Sequence, residues 1–295
     1  MSSLNQKKTL LFLTFLFLIL AVFWVLGKKA GFISNYPKKP NSQSVLTPAP
    51  LVTPTPSPTP TTRPLTFAEM NALYGPCAYL PTLMYHHIQS AEVAKKNNQI
   101  GLTVTPETFA KQMQYLKDKG YNSISFQDLV NFLENGTPIA KKSVLIAFDD
   151  AYSDFATDAY PILVGVGFRA AVFVPTGLVN NPGYLTWDQI RQIASEGRVA
   201  FANHTWSHKN VAAVESVMEK EISMADTKLS ERGLNTPKVF AYPYGLDSAR
   251  AERYLTQLGY MLAFSTRPGS ILCLKQRFNL PRVRIGEASL SAYGF

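Results

Sequence analysis

Hydrophobic and polar positions divide the chain into three stretches. Thr9 to Gly27 is almost wholly apolar (TLLFLTFLFLILAVFWVLG), close to the ~20 residues that cross a bilayer. Pro40 to Pro64 has no apolar periodicity. From Leu65 onward, short apolar runs alternate with stripes spaced three and four residues apart, which is strand followed by amphipathic helix. The predicted strands are Pro81–Tyr85, Val144–Phe148, Ala170–Val174, Arg198–Ala202, Val239–Ala241 and Met261–Ser265. Between them fall helices over Pro106–Lys119, Phe126–Asn135, Tyr152–Val166, Trp187–Ser195 and Val211–Arg232, and one capped by Asp247 that runs to Leu258. Thr105 caps the first, with Pro at its first position, and Phe109, Met113 and Leu116 share one face. Gly120 and Gly136 end the first two, and Thr186 caps the fourth. Such alternation predicts parallel β-structure with helical crossovers. Polar candidates fall directly after strands, at what would be the C-terminal rim of a barrel-like α/β fold. No glycine-rich phosphate loop supports a dinucleotide fold.

The apolar stretch is flanked by Lys7, Lys8, Lys28 and Lys29, without a good cleavage site. It reads as a retained signal anchor rather than a cleaved leader, although the balanced lysines do not orient it. The segment TPAPLVTPTPSPTPTTRP that follows is too poor in apolar surface to fold and favours extended geometry. The expected organisation is a cytoplasmic N-terminus at 1–8, a transmembrane anchor at 9–27, a Pro/Thr/Ser-rich linker at 28–64 and a folded domain at 65–295. The domain would lie on the extracytoplasmic side of the cell membrane. Net charge is +9, but seven basic residues and no acidic ones precede Glu69, so the remaining domain is nearly neutral. Nucleic acid is therefore not an expected partner. Cys77 and Cys273 lack any CxxC spacing; an oxidising compartment would let them pair, and two buried thiols is the other reading.

Candidate chemistry centres on Val144–Asp154 (VLIAFDDAYSD), where an apolar run ends in Asp149 and Asp150. Alternation along a strand lets the two carboxylates take different roles, one holding a metal and the other acting as a base. A helix-capping Asp is the plain structural alternative. All four histidines, His86, His87, His204 and His208, fall at predicted strand ends. His204 and His208 are four apart, a spacing that would put both on one face of a helical turn. With Asp150 they form a donor set suited to Zn2+ with a position open for water. Asp149 would then take a proton from that water.

The ordered set AFDDAYSDF, ANHTWSH and AYPYG resembles the NodB-homology polysaccharide deacetylases. LMYHHI and NLPRVRIG sharpen this toward the branch of bacterial poly-N-acetylglucosamine deacetylases, over about Leu80 to Gly286. The resemblance implies a distorted (β/α) barrel and divalent-metal-dependent removal of acetyl groups from N-acetylated polysaccharide. It assigns Asp149 as general base, Asp150, His204 and His208 as metal ligands, His86 as general acid and the Tyr244 backbone N–H as oxyanion donor. His87 receives no role. Ala241 stands where many members carry an arginine that contacts the base, and Arg282 is the expected replacement, a surface ion pair being its plain alternative. Trp187, Trp206, Tyr152 and Tyr184 are candidates for contact with sugar. The competing readings are a peptidoglycan or chitin-oligomer deacetylase, and a glycan-binding domain of the same fold without turnover.

Overall fold

The computed structural model describes residues 63–295. The predicted anchor at 9–27 and the linker up to residue 62 lie outside the described residues. Among the described residues, no helix is long and apolar enough to cross a membrane.

Seven strands build the domain: β1 (Thr82–Tyr85), β2 (Ser143–Phe148), β3 (Ala170–Val174), β4 (Val199–Asn203), β5 (Val239–Ala241), β6 (Leu262–Pro268) and β7 (Leu280–Arg284). They run in the order β1-β7-β6-β5-β4-β3-β2, and β2 pairs back onto β1, closing a barrel. Every pairing around the ring is parallel. At the closure, Thr82 faces Leu145 and Tyr85 faces Phe148. All six residues of β2 are buried, because a parallel strand covered on both faces sees water on neither.

Alternation sorts these side chains into two layers. Leu145 and Ala147 of β2, Ala171 and Phe173 of β3, Ala202 of β4, Ala241 of β5, Phe264 of β6 and Leu280 of β7 share one apolar cluster. The opposite parity, including Val144, Ile146, Phe148, Val172 and Val174, packs against the surrounding helices. The first cluster is the barrel interior, joined by Phe126, Leu129 and Leu133 of a helix at Phe126–Asn135. Asp149 continues the interior parity of Leu145 and Ala147, His204 continues that of Ala202, and Arg282 continues that of Leu280. The upper layer of the barrel is thus polar although the strands beneath it are apolar.

Three predicted elements need correction. The helix expected over Tyr152–Val166 is α-helical only at Tyr160–Val166, after a π-helical turn at Phe155–Ala159. Asp150 and Ala151 sit at φ +73° and +54°, so the chain leaves β2 by a sharp turn before any helix starts. The helix expected from Val211 begins at Glu215, because residues 204–214 form the loop that carries two histidines. Strand β7 was not anticipated: Pro281 and two arginines break its apolar pattern. Pro is accommodated there because the β6–β7 register shifts across Pro281, between Phe264↔Leu280 and Pro268↔Arg282. Ser248, not Asp247, caps the helix at Ala249–Gln257. A separate antiparallel ribbon sets Cys77–Tyr79 against Ile271–Cys273, and Cys77 and Cys273 form a disulfide.

Candidate active site

The barrel's C-terminal rim gathers residues from five strand ends. Asp149 is 3% exposed and Arg282 is fully buried. The guanidinium of Arg282 donates two parallel hydrogen bonds to Asp149, Nη1 to Oδ1 at 2.6 Å and Nη2 to Oδ2 at 2.7 Å. Its Nε donates to the Ser265 carbonyl at 2.9 Å, which fixes the plane of the fork. Burial by itself would raise the Asp149 carboxyl, but the charge of Arg282, with His204 and His86 nearby, outweighs it and holds the group below the usual carboxylate range. The expected replacement for the arginine missing at Ala241 is therefore in place, and its surface alternative is excluded.

Asp150 leaves the strand in a left-handed conformation and faces two imidazoles. His204 Nε2 lies 3.4 Å and His208 Nε2 3.1 Å from Asp150 Oδ1. One donor atom from each of the three residues lies within 4.8 Å of the others. His204 Nδ1 donates to the Ala241 carbonyl at 2.8 Å, which fixes the ring and turns Nε2 toward Asp150. Asp150 Oδ1 is buried and has no hydrogen-bond partner. A buried carboxylate oxygen that faces two imidazole nitrogens at 3.1 and 3.4 Å fits a cation held between the three. Without one, His204 and His208 outweigh the burial that would raise the Asp150 carboxyl and hold it well below its usual range.

The predicted helical turn for His204-Thr-Trp-Ser-His208 is wrong, although the predicted convergence is right. Thr205 and His208 sit at φ +71° and +58°, so the two rings meet across an irregular loop. Their centroids are 4.9 Å apart. Asn203 Oδ1 accepts the Thr205 N–H at 2.7 Å, and the Asn203 amide is itself held by Tyr260 at 2.5 Å.

His86 is close enough to Asp149 and Asp150 to feel both charges, with Arg282 and Arg284 opposing them. Burial dominates and lowers the imidazole below its ordinary value. Tyr244 follows β5 in a left-handed turn, φ +61° and ψ 4°, and its exposed ring stands edge-on to His208 with centroids 4.8 Å apart. Tyr152 and Tyr184 bridge as an antiparallel pair, their ring centroids 5.3 Å apart. The Asp150 charge acts on both phenols, which sets them beside the site. Trp206 lies across Gly177, where an added Cβ would fall 2.7 Å from the indole Cδ1. Trp187 instead stacks under the Arg232 guanidinium at 4.1 Å.

Two anchoring carboxylates escaped the sequence reading. Asp154 accepts from the Ile88 N–H at 3.1 Å and lies 2.5 Å from His87 Nδ1, so His87 supports the turn beyond His86 rather than entering the metal triad. Its ring stacks on Tyr152 at 3.6 Å. Glu221 accepts two bonds from Ser207. The available signal was a charged residue on an apolar stripe, Met218, Glu221, Ile222 and Ala225, all buried.

Known proteins resemble the chain in sequence and in fold. The polysaccharide deacetylase family model matches residues 136–263. The solved structure of the Streptococcus pyogenes deacetylase PplD, in complex with acetate, is 31% identical with a TM-score of 0.63, covering 70% of this chain and 92% of that one. The chain belongs to the polysaccharide deacetylase family. YxkH of Bacillus subtilis (strain 168), provisionally named a polysaccharide deacetylase, is 29% identical over 220 residues, 74% of this chain and 75% of its own length. The poly-beta-1,6-N-acetyl-D-glucosamine N-deacetylase of Escherichia coli (strain K12) is 28% identical over 231 residues. That match spans 63% of this chain and only 34% of the E. coli protein. As a polysaccharide deacetylase, the enzyme is a hydrolase of amide carbon–nitrogen bonds.

Proposed function

We propose that this deacetylase removes N-acetyl groups from a polysaccharide containing N-acetylglucosamine, with a divalent metal, Zn2+ foremost, held by Asp150, His204 and His208. The observation that carries this reading is the separation of two adjacent carboxylates. Asp149 is locked on Arg282, while Asp150 presents a buried, unbonded oxygen to two imidazoles. When bound, the metal supplies Lewis acidity to the acetyl carbonyl and to water.

Asp149, held ionised by Arg282, takes the proton from the attacking water. The Tyr244 N–H, in its left-handed turn beside His208, donates to the developing oxyanion. His86 delivers a proton to the departing amine. Its depressed basicity makes it the stronger acid once protonated. Tyr152 and Tyr184, paired beside Asp150, are the aromatic residues placed to meet sugar. The Cys77–Cys273 disulfide supports work in an oxidising compartment outside the cytoplasm, in keeping with the anchor expected at 9–27.

Acetate release is the test. The purified chain should liberate acetate from poly-β-1,6-N-acetylglucosamine or chitooligosaccharides, lose the activity to a chelator and regain it with Zn2+. Release that is indifferent to chelation would overturn the metal assignment. No release from any acetylated glycan, peptidoglycan included, would favour a binding domain.

A further inference from the structure

We propose that Glu221 is a positioning residue that sets His208 for metal binding; this rests on the metal site proposed above. Glu221 lies on the helix at Glu215–Ser230, is 1% exposed and occupies the stripe that otherwise buries Met218, Ile222, Ala225 and Leu229. A carboxylate taken out of water is costly unless its oxygens find donors. Glu221 finds both on one residue. Oε2 accepts the Ser207 N–H at 2.7 Å and Oε1 accepts the Ser207 hydroxyl at 2.6 Å. Lys209 Nζ lies 3.9 Å from Oε1. Two donors facing one group select an acceptor-only side chain.

The two histidines of the loop are held unequally. The His204 ring is fixed by its own bond to the Ala241 carbonyl. Upstream backbone is fixed as well: Thr176 N–H donates to the Thr205 carbonyl at 3.1 Å and Gly177 N–H to the Trp206 carbonyl at 2.7 Å. Among the described residues, His208 Nδ1 has no comparable hydrogen-bond partner; its ring stands against the Tyr244 edge. His208 also adopts φ +58°, which a non-glycine residue keeps only where its surroundings impose it. Ser207 is the residue before it, and Glu221 grips both of its donors. The carboxylate thereby aims an imidazole that it does not touch, as outer partners of metal ligands do.

The experiment measures Zn2+ affinity of the full chain by competition with a chromophoric chelator, alongside the melting temperature without metal. Glu221→Ala should weaken Zn2+ about 10- to 100-fold. Glu221→Gln should recover most of that, because its amide oxygen can accept the Ser207 N–H while its NH2 donates to Ser207 Oγ. In a His208→Ala background, Glu221→Ala should add no further loss, since only a residue acting through His208 becomes silent there. Unchanged affinity in Glu221→Ala, or an equal loss with and without His208, would overturn the proposal; general destabilisation moves the melting temperature instead. Should Glu221→Ala fail to fold, Ser207→Ala serves, with a loss of a few-fold that vanishes in the same background. If His208→Ala binds Zn2+ as tightly as the unaltered chain, the metal site itself is wrong, an outcome distinct from failure of Glu221 alone.

Discussion

Asp149 and Asp150 are neighbours in sequence and opposites in environment. One carboxylate is paired with a guanidinium, and the other faces two imidazoles. Asp149→Asn should therefore bind Zn2+ with near-normal affinity and lose at least 10²-fold in kcat, whereas His204→Ala should lose the metal. Metal loss in the Asp149 variant, read by the same chelator competition, would mean that the two roles are exchanged. Arg282 sets the pH behaviour of the base. Its charge holds Asp149 below the ordinary carboxylate value, so the proposed base stays ionised wherever an ordinary carboxylate does. Asp149 binds a proton less readily folded than unfolded, and its stabilising contribution is present above about pH 3.9 and lost as pH falls further. Arg282→Ala leaves a buried acid without its cation. Its pKa should rise, an acid limb should enter the kcat/KM profile, and folding should weaken by about 3–5 kcal/mol. A kcat/KM profile unchanged by the substitution would separate Arg282 from the base.

The loops between strand and helix do most of the work of assembly. Tyr242-Pro-Tyr-Gly245 turns because Tyr244 and Gly245 both take positive φ. At Gly245 a Cβ would come 2.6 Å from the Thr266 backbone nitrogen, so glycine is required for approach as well as for conformation. Gly245→Ala should cost about 1–3 kcal/mol and lower kcat more than Zn2+ affinity, because the Tyr244 N–H moves while the ligands stay. Kinetics and chelator competition on the one variant give both numbers; a fall in affinity with kcat intact would place the turn elsewhere in the chemistry. Helix stripes and caps predicted the starts at Pro106, Phe126 and Trp187, but not the starts of the two helices that follow site residues. The α-helix expected from Tyr152 is delayed to Tyr160, and that expected from Val211 to Glu215, in both instances because the residues before it serve the site.

At the scale of the molecule, closure decides the chemistry. Strand β7 pairs with both β6 and β1, and it alone brings Arg282 to Asp149 across 133 positions of sequence. A second long-range tie, Cys77–Cys273, spans 196 residues. Constraining so long a loop stabilises the folded domain by about 2–5 kcal/mol. Cys77→Ser with Cys273→Ser should then lower the melting temperature by about 5–15 °C while leaving Zn2+ affinity in place. A melting temperature unchanged by the double substitution, or by reductant, would remove the disulfide from the stability of the domain.

Local pattern was enough for the alternation of strands and helices up to β6, for the layer of polar residues above the strands, and for Asp149, Asp150, His204 and His208 as one group, because period and residue chemistry are written in neighbouring positions; β7, broken by Pro281 and two arginines, was not legible that way. Resemblance of ordered motifs added the reaction class and the roles proposed for His86, Tyr244 and Arg282. Only the folded barrel showed that the two imidazoles meet in a left-handed loop, that Arg282 forks onto Asp149, that the cysteines pair and that Glu221 and Asp154 brace the histidine turns. Each of these joins residues far apart in the chain or depends on a backbone conformation that side-chain identity does not prescribe, so the packing had to be in view before they could be seen.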